Sequence, residues 1–457
     1  MARSDLVIVS NRGPLSFTRD DAGQLTPTRG GGGLVSSVGP LVQGTGATWV
    51  AAAISDDDRE AMKAAGGVVE AEGYRLRALD IPPAQYRQFY DVVSNSTLWF
   101  LHHGLDDLPR RPLYDRRWRE AWDGYRAVNA LFADAAADEA PDGAVVLVQD
   151  YHLSLVPAML RERRPDVRSI HFHHTPFATP TLIRALPTAE ELLHGLAAAD
   201  ACGFHAERWR ADFEACCAAV GLSPRTFVSP LAPDGDDIGS VAASSACAEA
   251  AGWVDEAVGD CQVILRVDRI ELSKNIVRGF LAYELLLEER PDLRGRVVFV
   301  ALVYPSRQSL PQYQAYRQEV QTVVERVNNR FSTGEWLPIV FDDHDDFPRS
   351  VAALKRYDVL LVNPVRDGLN LVAKEGPLVN ECSGVVAVSR EAGVWDELSS
   401  AALGLNPFDI AETADVLAAA LSMPAEERGR RAAALREIAQ ARRPDDWLTD
   451  QLALVDP

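Results

Sequence analysis

At 457 residues the chain exceeds the roughly 250–300 at which a single core stops growing, and its 47% apolar residues can fill two. With 66 acidic residues against 46 basic the formal charge is −20, which argues against nucleic acid or anionic membrane as a partner. A phosphorylated ligand would have to find a local basic pocket set against that field.

In chain order, one pattern recurs: an apolar run ends and polar residues follow at once. Residues 6–9 lead into Ser10, Asn11 and Arg12, and 145–148 into Gln149, Asp150, Tyr151 and His152. Residues 170–172 lead into His173 and His174. Further on, 263–265 precede Asp268, Arg269 and Lys274, and 297–303 precede Ser306 and Arg307. Such runs read as buried parallel strands alternating with helical patterns, so the architecture expected is α/β, with two doubly wound Rossmann-like domains. In open α/β sheets ligands bind beyond the carboxyl ends of the strands, so these polar residues are expected to face a crevice.

The last run, 359–362 (VLLV), is followed by RDGLNLVAKE (366–375), which predicts a strand, a polar turn and a helix from about Asn370. A helix N-terminus offers unpaired N–H groups to a phosphate, and Gly368 would let the backbone approach closely. Asp367 could accept sugar hydroxyls, and Glu375 could reach a ribose. The stretch is a candidate half-site for a nucleotide sugar; an ordinary capped helix after a strand fits the same spacing.

Residues 230–259, rich in Pro, Asp, Ser, Gly and Ala, mark the domain boundary, and 447–455 could form a last helix. No apolar run approaches the ~18 residues of a membrane span and MARSDLVIVSNR has no signal-peptide core. The six cysteines show no CxxC spacing and read as free thiols of a reducing cytoplasm. Acidic clusters at 56–58, 234–237 and 342–346 read as solvated turns rather than metal sites, and His102-His103 and His173-His174 lack the spacing of a helical zinc site. The run Gly30 to Gly33 is a hinge or a phosphate cradle, and no Walker A loop, GxGxxG or GxSxG is present.

These residues resemble the trehalose-6-phosphate synthase family of retaining glycosyltransferases. The likeness runs through VSNR (9–12), GGL (32–34), SNSTLW (94–99), AWDGYRAVNALFAD (121–134), QDYH (149–152), HHTPF (173–177) and GF (203–204). It continues through RIELSKN (269–275), FLAYE (280–284), SR (306–307), RDGLNLVAKE (366–375) and NPFD (406–409). The resemblance implies a GT-B fold: an acceptor domain over 1–235, a linker over 236–259, a nucleotide-sugar domain over 260–440, and a C-terminal helix over 441–457 that could return to the first domain. It also implies roles. Arg269 and Lys274 would hold the donor diphosphate, with backbone donors around Leu369, Asn370 and Leu371, and Gly32 closing from the first domain. Glu375 would bind the ribose, and Asp367 and His174 the donor glucose. Arg12 and Arg307 would clamp the phosphate of glucose 6-phosphate beside Tyr90 and Trp99, and Asp150 and His152 would hold acceptor hydroxyls.

The implied chemistry is transfer from a nucleotide-glucose to glucose 6-phosphate with retention, through a front-face route needing neither metal nor cofactor. The expected partners are these small molecules, with room for a homo-oligomer. Two departures stand out. Asn275 replaces a usual glycine, and His173 and Thr175 flank His174 where aliphatic residues are common. SKN, LVNE (378–381) and NPFD also resemble pseudo-glycosyltransferases that couple cyclitols and use a guanine-linked donor, although RDGLNLVAKE is kept intact. The resemblance therefore favours GDP-glucose, with UDP-glucose as the alternative. Its rivals are another phosphorylated acceptor or cyclitol donor, and a non-catalytic binding homologue.

Overall fold

The apolar runs fold as strands whose buried patterns are unbroken: LVIV in β1 (Leu6–Val9) and VLLV in β14 (Val359–Val362). The computed structural model describes residues 5–20, 22–29, 38–39, 41–71, 73–334 and 336–455. The chain divides into two units, Met1–Leu231 with Pro444–Pro457, and Ala232–Arg443.

The first unit holds β1, β4 (Thr48–Ala52), β6 (Tyr74–Leu79), β7 (Val145–Gln149), β8 (Arg168–His173), β9 (Ala201–Phe204) and β10 (Thr226–Val228). With β5 (Val68–Ala71) they form one sheet in the order β10-β9-β8-β7-β1-β4-β6-β5. The described pairings are parallel except that of the edge strand β5 with β6. A separate antiparallel hairpin joins β2 (Leu15–Arg19) to β3 (Leu25–Arg29).

The second unit is a parallel sheet of β11 (Gln262–Ile270), β12 (Val297–Pro305), β13 (Ile339–Asp342), β14, β15 (Val385–Ser389) and β16 (Leu403–Leu405). Its order is β13-β12-β11-β14-β15-β16. Helices on both faces explain why these strands are apolar throughout rather than alternating. Ile8, Val146 and Phe172 sit in one core and Val263, Val300 and Leu361 in the other. Burying each such side chain contributes roughly 1.5–3 kcal/mol.

Both sheets reverse their strand order once, between β1 and β7 in the first unit and between β11 and β14 in the second. At such a switch point the connections leave in opposite directions and open a crevice beyond the strand ends. The sequence motifs sit there.

Some expectations are corrected. Residues 236–259, read as a linker, form two helices of the second unit, Gly235–Ala242 and Ser245–Val258. Asp234 and Ser244 cap them by accepting from backbone N–H groups, which is the use this chain makes of its Asp and Ser here. The division falls at 231/232 and 443/444 rather than 235/236 and 440/441. The last helix, Pro444–Leu452, groups with the first unit: Asp450 accepts from Ser229 Oγ at 2.8 Å, and Trp447 meets Phe172 edge-on at 5.0 Å. All six cysteines are free thiols, and among the described residues no helix is long and apolar enough to cross a membrane.

Candidate active site

In the first unit the chain turns sharply where β7 ends. Asp150 has φ 68° and ψ 169°, a region essentially reserved for glycine and costing about 1–3 kcal/mol. Its neighbours over-determine that backbone. The Asp150 N–H donates to Phe172 O at 2.8 Å, its carbonyl lies 3.1 Å from His171 Nε2, and the Leu153 N–H donates to it at 3.2 Å. Its carboxylate faces the His174 N–H (3.3 Å) and His152 Nδ1 (3.7 Å). Non-glycine strain at a strand end marks a place where side-chain position outweighs backbone comfort.

His152 stacks on Tyr90 at 5.7 Å, and Tyr90 stacks on Tyr86 at 5.4 Å. The Tyr86 hydroxyl donates to Asn11 Oδ1, which follows β1 across the switch point. Tyr90 lies in a helical segment, Gln88–Leu98, wound with i→i+5 hydrogen bonds, a form frequent at functional sites. Ser94, Asn95 and Thr97 repeat that spacing, each side chain donating to the carbonyl five residues back. The Asn95 amide oxygen also accepts from Tyr151, which ties the segment to the turn at Asp150. Arg12 is exposed, whereas Trp99, only 2% exposed, packs at 4.2 Å on His103.

His174 reaches His205 Nε2 with Nδ1 (3.1 Å) and Gln149 Oε1 with Nε2 (2.8 Å). Burial and the neighbouring His205 and His171 rings hold its basicity well below the ordinary imidazole range. Burial likewise brings His171 down to about 4, partly offset by its bond to the Asp150 carbonyl.

The second unit gathers charge instead. Lys274, after β11, lies 2.7 Å from Asp367, after β14, so the ion pair spans the switch point; Asp268 stands 3.7 Å away. Burial opposes the Lys274 charge, but Asp367 and Asp268 outweigh it and hold the ammonium above its ordinary range. Arg269 and Arg307 share Glu271, at 3.2 and 3.3 Å, and Ser306 donates to it at 3.0 Å. Burial would raise this carboxyl, yet Arg269, Arg307 and Lys274 bring it down to about 2. Arg307 also donates to the Tyr313 hydroxyl at 2.5 Å and carries φ 43°.

Strand β11 runs through Ile270, so Asp268 and Arg269, expected beyond the strand, lie within it. The helix after β14 spans Val372–Val379, two residues later than expected. The left-handed residue of that turn is Asn370 (φ 86°), and Gly368 is not among the positive-φ glycines. Asn370 Nδ2 donates to Asp367 Oδ2 at 3.1 Å, which helps aim the carboxylate at Lys274. The Leu371 carbonyl accepts from the Lys374 and Glu375 N–H groups, both at 2.8 Å, and the Val394 N–H donates to the Leu369 carbonyl at 2.9 Å. Burial pushes the Glu375 carboxyl up to about 7.

Asn275 explains its own departure. Its φ of 60° is the left-handed conformation a glycine would take, and its amide donates to Asn363 O (3.0 Å) and Pro407 O (2.7 Å). Gly32 and the run Gly30 to Gly33 lie outside the described residues.

Within each unit some of the expected residues converge, and Arg12, Trp99 and Glu375 stand outside the sets. Asp150, His152, His174 and Tyr90 form one set, and Arg269, Lys274, Arg307, Asp367 and Asn370 another. Sequence reasoning missed Glu271, His205 and Tyr86, and it named Asp268 and Gln149 without their parts as counter-ion and as partner. Glu271 and Asp268 had a signal, since a basic motif in so acidic a chain needs counter-ions; His205 had none. Among the described residues no group of three or more His, Cys, Asp or Glu is placed to hold a metal ion. The three acidic clusters have other uses: Asp58 completes a capping box with Ser55, Asp234 caps a helix, and Asp342 pairs with His344 at 2.6 Å and with Arg349.

The model of Glycosyltransferase family 20 matches residues 4–456. The trehalose-6-phosphate synthase of Mycolicibacterium smegmatis is 34% identical over 97% of this chain and 91% of its own length. Among solved structures, the E. coli protein bound with UDP-2-fluoro glucose superposes with a TM-score of 0.86 at 28% identity, covering 99% of both chains. The UDP-forming α,α-trehalose-phosphate synthase of Burkholderia xenovorans, in complex with glucose-6-phosphate, gives 0.85 at 28% identity over 98% of this chain and 99% of that one. The fold is of the GT-B type that the motifs implied.

Proposed function

The chain belongs to glycosyltransferase family 20 and is a glycosyltransferase, and on that premise we propose that it makes α,α-trehalose 6-phosphate from a nucleotide-glucose and glucose 6-phosphate. The observation that carries this reading is the paired-cation set of the second unit. Lys274 on Asp367, and Arg269 with Arg307 on Glu271, are cations pre-positioned at a strand-order reversal. The carboxylates can give them up to the substrates' phosphates, Arg269 and Lys274 to the donor diphosphate and Arg307 to the acceptor phosphate. As the glucosyl C1–O bond breaks, Arg269 and Lys274 neutralise charge on the departing phosphate, the electrostatic contribution that usually dominates transfer. The acceptor C1 hydroxyl bonds to the same face of that carbon, and its proton passes to the departing phosphate oxygen. The products are a nucleoside diphosphate and a retained α,α-1,1 linkage, with no protein nucleophile or metal required.

Asp367, released from Lys274, and His174 hold the donor glucose, Glu375 holds the ribose, and backbone donors around Leu369, Asn370, Leu371 and Gly32 complete the phosphate cradle. Arg12 and Arg307 clamp the acceptor phosphate beside Tyr90 and Trp99, with Asp150 and His152 on its hydroxyls. Guanine is the favoured base on the likeness of SKN, LVNE and NPFD, while the similar solved structures carry or release uridine nucleotides. NMR of the product tests the reading: a non-reducing α,α disaccharide phosphate, formed equally with chelator present, is expected. An inverted linkage or a chelator-abolished rate contradicts the mechanism. A cyclitol-coupling or other-acceptor enzyme, the second reading, rests on the same three motifs and predicts nucleotide-sugar binding without turnover on glucose 6-phosphate.

A further inference from the structure

A backbone amide can only donate, and the Leu231 N–H donates to His205 Nδ1 at 3.3 Å. The neutral His205 ring therefore carries its proton on Nε2, the nitrogen that faces His174 Nδ1 at 3.1 Å. His174 Nδ1 must accept, so the His174 proton sits on Nε2 and is donated to Gln149 Oε1 at 2.8 Å. One fixed donor thus sets the direction of every hydrogen bond along a line of three side chains. Phe172 (4.9 Å) and Trp447 (5.9 Å) pack against the His174 ring and help hold it in place. At the end of the line Gln149 is 1% exposed, and its Nε2 is buried with no hydrogen-bond partner among the described residues. A buried unpaired amide costs about 1–3 kcal/mol, a cost that a ligand oxygen would remove.

We propose that His205 is a positioning residue: it locks the tautomer of His174 and thereby the orientation of the Gln149 amide, whose hydrogens are kept for a sugar hydroxyl. Both His174 ring nitrogens are engaged within the chain, so its hold on the donor glucose is passed on by Gln149. The tautomer stands on the hydrogen bonds alone, whereas the sugar contact rests on the proposed glycosyl transfer.

The test uses ¹⁵N-histidine NMR on the full chain together with kinetics of His205→Phe and His205→Gln. The wild-type His174 should be a single Nε2–H tautomer, and His205→Phe should show a mixture. In that variant kcat/KM for the nucleotide sugar should fall about tenfold, the size expected when one buried hydrogen bond loses its partner, with nucleoside diphosphate affinity unchanged. His205→Gln, whose amide can donate to His174 Nδ1, should restore both. A wild-type Nδ1–H tautomer, or a folded His205→Phe with unchanged kcat/KM, overturns the proposal. The tautomer is read without turnover, so failure of the glycosyl-transfer reading would be seen separately.

Discussion

The residues at the first unit's switch point are held by a strained backbone and hydrogen bonds, whereas those at the second are held by ion pairs. Asp150 sits in a glycine-only conformation, fixed by Phe172, His171 and Leu153, and His174 lies on a line of uncharged rings and an amide. In the second unit Lys274, Arg269 and Arg307 are each matched by Asp367 or Glu271. The difference follows from what each half is proposed to bind. A diphosphate needs cations, and in a chain of charge −20 these are kept in place by carboxylates until the ligand replaces them. A sugar needs directed donors and acceptors, which fixed tautomers and a fixed backbone provide without net charge.

The sharpest way to break this comparison is Arg269→Ala. Turnover should fall roughly 10²–10³-fold through lost stabilisation of the departing phosphate. Steady-state rates near wild type would detach Arg269 from the reaction.

Next is Glu271→Gln, which leaves two arginines without their shared carboxylate. The folded carboxyl lies at about 2 against an ordinary 4.5, so its ionisation favours the folded state by roughly 3 kcal/mol at neutral pH. Because the folded value is the depressed one, this stability is present above pH 4.5 and is lost as pH falls towards 2. Denaturant midpoints should therefore separate wild type and variant at pH 7 and converge near pH 2–3. Equal separation at both would show that the pair acts by packing rather than charge.

In the first unit, Asp150→Gly should do the reverse of a catalytic-site truncation with purely structural cost. Relief of the backbone strain should raise stability by about 1–3 kcal/mol while turnover drops, as seen by melting and nucleotide release on one preparation. A less stable Asp150→Gly would mean that the side-chain contacts outweigh the strain.

The smallest effect is expected for Asn275→Gly. Glycine keeps the left-handed backbone but loses three hydrogen bonds, those donated to Asn363 O and Pro407 O and the one accepted from Arg278, for about 1–2 kcal/mol. Activity should survive in proportion to folded protein. A gain in stability would show that the amide is not a brace.

Much of this was legible in the sequence because buried parallel strands are continuous apolar runs, and VLLV and LVIV have their strand limits where the runs end. The 236–259 helices were missed because a stretch rich in Ala, Ser, Gly and Asp reads as punctuation unless Asp234 and Ser244 are taken as caps. In the RDGLNLVAKE turn Gly368 was read only as letting the backbone approach closely, whereas the left-handed position falls to Asn370, whose local side-chain bonds let it take that role. Contacts such as His174 with His205, or Glu271 with Arg307, join residues 31 and 36 positions apart. Only the sheet order brings them together, and no local pattern encodes them.

The most direct test of the account is nucleotide release with glucose 6-phosphate as acceptor, with GDP-glucose and UDP-glucose run side by side. The account predicts turnover giving a non-reducing phosphorylated disaccharide, faster with GDP-glucose. Silence with both donors while the nucleotides still bind would contradict it.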